Sequence, residues 1–148
     1  MKIFGEMKKV LSTCEIDYLK WDFNRNLTEV GSAALPADRQ KEVFIAQLKL
    51  AHELHLPVAI HNRDSIGDCL EILKENKNLL EYGGVVHCFS ESVEIYREIK
   101  KLGLKISFGG ILTFKNSIVA PQVCKVADIK DILIETDCPY LTPHPYRG

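Results

Sequence analysis

The strongest constraint in this chain is an alternation of two periodicities. Short β-branched runs are separated by longer runs whose apolar residues recur at helical spacing. Val10 and Leu11 rise to Glu15; Val58, Ala59 and Ile60 stop at His61; Val85 and Val86 stop at His87. The run 104–110 ends in glycines, and Ile132, Leu133 and Ile134 lead through Glu135 and Thr136 to Asp137. Between them, Val43, Phe44, Leu48, Ala51 and Leu54 predict a helix over 36–57, with Pro57 forbidding its continuation. Ile66, Cys69, Leu70, Leu73 and Leu80 predict another over 65–80, and Val93, Tyr96, Ile99 and Leu102 a third over 92–103, stopped by Gly103. A shorter one, interrupted by Pro121, is expected over 116–127, and 24–35 reads as a loop.

Alternation of this kind predicts parallel strands joined by right-handed crossovers. The expected strands lie near 10–15, 57–61, 84–88, 104–108 and 131–136. A doubly wound sheet also fits the alternation. Ligand-type residues at so many strand ends fit a closed or partial barrel better, because such barrels collect functional groups at the carboxyl ends of their strands. The expected fold is therefore α/β, a partial TIM-type barrel of about five parallel strands with covering helices. A complete barrel takes about 250 residues, and this chain has 148. Residues 1–148 are accordingly expected to be a single domain that is a fragment of a barrel.

His61, His87 and Asp137 occupy equivalent strand ends. Imidazole nitrogen with carboxylate oxygen suits a divalent cation, Zn²⁺, Mn²⁺, Fe²⁺ or Mg²⁺. Cys88 and Cys138 are the competing nucleophiles, but neither lies in a nucleophile motif, and packing is the simpler use. His52 and His55 read as surface residues of a helix and His144 as a solvated tail residue. Arg63 and Lys115 are candidates to meet a phosphate, a surface ion pair being the alternative; Tyr140 is either a ligand-stacking ring or a core aromatic.

The balance of the chain narrows its partners. A net charge of −1 carries no broad basic footprint. No run approaches the roughly 18 apolar residues of a membrane helix, and the N-terminus lacks a signal-peptide core. The odd number of cysteines, 5, contains no CxxC pair. These features predict a reduced, cytoplasmic protein without a membrane partner. Its oligomeric state is left open.

The segments "LPVAIHNRD", "GGVVHCFSES", "ISFGGILTFKN" and "LIETDCPYLTPHPYRG" together resemble the TatD family of metal-dependent deoxyribonucleases. The resemblance runs from about Val10 to Gly148 and implies a TIM-type barrel, one or two divalent ions (Mg²⁺, Mn²⁺ or Zn²⁺), and DNA as substrate through 3′–5′ exonuclease or endonuclease action. By motif, it implies Glu15, His61, His87 and Asp137 as metal ligands, with Asp137 also the general base. Two alignments place the family glutamate, one on Glu15 and one on Thr13; Glu15 is the one taken. The family's His-x-His pair occurs nowhere in the chain, and Glu91 stands where the family usually has glycine. Weakened activity is therefore expected. A non-catalytic remnant or interaction module, or a hydrolase of another ester or amide, is the alternative.

Overall fold

The computed structural model describes residues 2–13, 19–23, 37–137 and 140–146. Five strands, β1 (Leu19–Phe23), β2 (Val58–Asn62), β3 (Gly84–His87), β4 (Lys105–Phe108) and β5 (Ile132–Ile134), form one sheet. They are neighbours in chain order and every pairing is parallel. The expected α/β architecture holds. Among the described residues the sheet is an open arc with β1 and β5 as its edges.

The expected first strand is a correction. Residues 10–13 lie in a helix, α1 (Lys2–Thr13), and the first strand comes later, at β1. Val10 and Leu11 belong to a longer pattern, Ile3, Phe4, Met7, Val10 and Leu11, whose spacing of three and four is helical. The 24–35 segment lies outside the described residues.

The other helices are α2 (Ala37–Glu53), α3 (Ile66–Glu75), α4 (Val93–Lys101) and α5 (Val119–Val126). Helix α2 stops short of Pro57, at a two-bond cap: His55 N–H donates to the His52 carbonyl at 3.1 Å and Leu56 N–H to that of Ala51 at 3.0 Å. His55 takes the left-handed conformation, φ 57°, that this cap requires. Helix α4 closes in the same way on Gly103, φ 78°, with Leu104 N–H donating to the Ile99 carbonyl at 3.3 Å. Here the residue that tolerates the conformation is visible in the sequence. Pro121 falls in the first turn of α5, where its missing N–H costs nothing.

Strand residues alternate between two faces. Val58, Ile60, Val86, Ile106 and Phe108 join a core with Phe44, Leu48, Leu73, Ile99 and Val123 of the helices. Ala59, His61, Val85, His87, Lys105 and Ser107 alternate with them and point to the inner face of the arc. A cavity of about 710 Å³ lies on that face, lined by His87, Lys105, Ser107, Leu133 and Glu135 among others.

Candidate active site

His61 and His87 are register partners on adjacent strands, and their ring centroids are 5.5 Å apart. The chain turns immediately after each strand. Cys88 has φ 54° and Asp64 φ 56°, a region that non-glycine residues seldom enter and that concentrates at functional sites. The turn at Cys88 returns Phe89 to the core, where it is 1% exposed. Its N–H donates to the Ser107 carbonyl at 2.9 Å. That is the physical reason a strand ends in His-Cys-Phe: the imidazole stays on the inner face while the next apolar ring goes to the other.

The two loops are tied together. Ser65 Oγ donates to Asn62 Oδ1 at 2.8 Å, and Asn62 Nδ2 donates to Glu91 Oε1 at 3.2 Å. Burial, with the Asp64 carboxylate adding, raises the Glu91 carboxyl above its ordinary range against the lowering pull of the Asn62 bond. The glutamate that departs from the family pattern is thus half-buried and bridges the loops that follow both histidines.

The carboxylates come from beyond β5. Glu135 N–H donates to the Phe108 carbonyl at 3.1 Å, which prolongs the strand pairing by one residue. Glu135 Oε2 is paired with His87 Nδ1 and accepts a hydrogen bond from Ser107 Oγ at 2.7 Å. Asp137 Oδ1 stands 3.6 Å from His87 Nε2. The side chains of His87 and Glu135 are 11% and 12% exposed, and that of Asp137 is 35% exposed. Glu135 Oε1 is buried without a hydrogen-bond partner among the described residues. Glu135 is not among the residues expected from sequence. Its signal is there all the same: Leu133, Glu135 and Asp137 are two apart, so the same alternation that brings Asp137 to the inner face brings Glu135 with it.

Of the expected metal ligands, His87 stands next to His61 on one side and Asp137 on the other, and Glu15 lies outside the described residues. Thr13, the alternative, ends α1, with its hydroxyl donating to the Lys9 carbonyl at 3.1 Å. The backbone position opposite His61 in β1 is Asp22. Among the described residues no three His, Cys, Asp or Glu side chains are grouped so that they could hold a metal ion. The donor types nevertheless fit a divalent cation. So does the pairing of His87 Nδ1 with a carboxylate, which orients the opposite nitrogen as metal-ligating histidines require.

Arg63, Lys115 and Tyr140 are all exposed, on the segments that leave the carboxyl ends of β2, β4 and β5. Tyr140, 74% exposed, is not a core aromatic. The tail carrying it crosses the loop after β4. His144 N–H donates to Thr113 Oγ1 at 2.8 Å. A Cβ on Gly110 would sit 2.0 Å from the Leu141 carbonyl oxygen, so only glycine permits the crossing. His55 is exposed as expected and His52 is half-buried, and both rings lie against the exposed Tyr82, with centroids 4.9 and 5.5 Å away. Burial, reinforced by Asp68 and Glu91, pushes the Cys69 thiol up to about 12, which makes it inert.

The family described as TatD related DNase matches residues 16–148. The chain is 50% identical over 113 residues to the uncharacterized metal-dependent hydrolase YabD of Bacillus subtilis (strain 168), across 76% of this chain and 44% of that protein. It is 37% identical over 123 residues to the 3′-5′ ssDNA/RNA exonuclease TatD of Rahnella sp. (strain Y9602), across 82% of this chain and 44% of that one. The crystal structure of YJJV, a TatD homologue from Escherichia coli, superimposes with a TM-score of 0.80 at 25% identity, covering 98% of this chain and 54% of that one. The chain thus spans less than half the length of these two curated relatives.

Proposed function

Because the chain belongs to the TatD-related DNase family, a family with members named as metal-dependent hydrolases, we propose that it hydrolyses phosphodiester bonds of single-stranded DNA in the 3′–5′ exonuclease manner. The observation that carries this reading is that His87, at the carboxyl end of the sheet, lies beside both His61, with ring centroids 5.5 Å apart, and Asp137, 3.6 Å away. These three would hold the cation, Mg²⁺, Mn²⁺ or Zn²⁺, with Glu15 as a further ligand. Bound there, one or two such ions would supply a water ionisable near neutral pH and positive charge for the phosphoryl oxygens. Asp137 then accepts the proton of the attacking water. Arg63 and Lys115 meet the phosphates on either side of the scissile one, and Tyr140 offers its exposed ring for a base to stack on. Reduced thiols at Cys69 and Cys124 support a cytoplasmic setting. Among the described residues no helix is long and apolar enough to cross a membrane.

The test is 5′-labelled single-stranded DNA with Mg²⁺ or Mn²⁺, with and without chelator, against His61→Ala. Stepwise shortening that chelator and substitution both abolish is the expected result; chelator-resistant shortening overturns the reading. A second reading, metal or nucleic-acid binding without turnover, is favoured by the open donor set among the described residues. Retained DNA binding with no cleavage at any metal concentration selects it.

A further inference from the structure

Three adjacent strands contribute one polar group each to a buried chain of contacts on the inner face. β3 ends in His87, β4 carries Ser107, and Glu135 follows β5 by one residue. Ser107 is 2% exposed. Its hydroxyl and the His87 Nδ1 converge on the same carboxylate oxygen, Oε2 of Glu135. The backbone fixes both ends: Glu135 N–H is held by the Phe108 carbonyl at 3.1 Å and the Ser107 carbonyl is held by Phe89 N–H at 2.9 Å.

We propose that Glu135 and Ser107 are positioning residues that set the tautomer and ring orientation of His87. Glu135 Oε2 lies against Nδ1 whereas Asp137 Oδ1 stands 3.6 Å from Nε2, so in the neutral imidazole the nearer carboxylate takes the ring proton at Nδ1. The lone pair is then on Nε2, the nitrogen that stands 3.6 Å from Asp137 Oδ1. An imidazole in water has no such constraint. Without Glu135 the proton can move to Nε2, where it blocks any ligand on the Asp137 side. Ser107 has the supporting role. Glu135 Oε1 has no hydrogen-bond partner among the described residues, so the carboxylate is held through Oε2, and the Ser107 hydroxyl is what keeps that oxygen turned to His87. Partners of this kind typically account for about 10–100-fold in metal affinity. The inference rests on the reading of His87 as a ligand for its metal consequence, but the tautomer itself does not depend on it.

The test uses the full 148-residue chain, metal-free and ¹⁵N-labelled, with long-range ¹H–¹⁵N correlation of the His87 ring, beside Glu135→Leu and Ser107→Ala. The expected result is the Nδ1–H tautomer in the parent chain, the Nε2–H tautomer in Glu135→Leu, and a mixture in Ser107→Ala. Titration with Zn²⁺ alone is expected to show about 10–100-fold weaker binding for Glu135→Leu and a smaller loss for Ser107→Ala. An Nε2–H tautomer in the parent chain, or one tautomer common to all three proteins, overturns the proposal. If Glu135→Leu does not fold, the mixture in Ser107→Ala decides. A chain that never cleaves DNA yet shows the tautomer shift removes the nuclease reading and leaves this one standing; cleavage with an unmoved tautomer does the reverse.

Discussion

The middle of the sheet and its β5 edge have similar sequences and opposite surroundings. Ile60, Val86 and Ile106 are at most 2% exposed, whereas Leu133 and Ile134 are 42% and 94% exposed. Both regions are β-branched and apolar. The difference is cover: α2, α3 and α4 lie over the middle strands, and among the described residues little lies over the back of β5. Packing therefore holds the histidine end of the site, while polar contacts hold the carboxylate end. Those contacts are the Ser107–Glu135 bond, the pairing with His87, and the Tyr96 and Lys100 side chains that grip Asp131 just ahead of β5. The two ends of the candidate site are thus held by different forces, which makes them separable by mutation.

The sharpest way to separate them is Asp137→Asn. If Asp137 is the base of the proposed reaction, the substitution should lower the proposed DNA cleavage by about 10²–10⁴-fold and leave the urea midpoint unchanged, since no side-chain hydrogen bond ties Asp137 to its neighbours among the described residues and its side chain is 35% exposed. A matching loss of stability would mean that the β5 end is packed after all. The converse pair is Ile60→Ala against Ile134→Ala. The first empties a fully buried site and should cost about 2–5 kcal/mol. The second should stay within about 0.5 kcal/mol. Equal effects in urea unfolding would erase the contrast between middle and edge.

Tyr96→Phe probes the polar grip on β5. The phenol donates to Asp131 Oδ2 at 2.7 Å and accepts from Asp128 N–H at 3.2 Å. Its loss should cost about 1–2 kcal/mol and speed amide exchange in 132–135 more than in β2 or β3. Uniform acceleration across the sheet would count against a local grip.

The smallest effect is expected at Glu91. Its folded carboxyl is raised by burial first and by Asp64 second. A raised acid stabilises the fold below the ordinary glutamate value, about 4.3, and that contribution is lost as pH climbs through the folded value. Glu91→Gln keeps a carbonyl for Asn62 and removes the charge. It should gain about 0.5 kcal/mol near neutrality, a figure discounted for solvent screening, and nothing at acid pH. Urea midpoints at pH 4 and pH 7.5 measure the difference; a gain at both would locate the effect in packing instead.

Much of this protein is legible in the order of its residues alone. Period-two runs and period-3.6 runs report on backbone geometry, so the parallel α/β order, four of the five strands, Gly103 as a stop and the placement of His61, His87 and Asp137 at strand ends are readable locally. The first strand is misplaced by the same reading because Val10 and Leu11 satisfy either period when only a few residues are counted. What only the tertiary structure decides is contact between distant segments. Glu135 meets His87 and Ser107 because three strands stack in register, Gly110 is required because the tail crosses it, and His55 takes a left-handed turn that sequence assigns to glycine. Whether an apolar strand is covered at all, as at Ile60 and not at Ile134, depends on what packs against it. A residue pattern shows which face seeks burial, but the burial itself is a property of the neighbours.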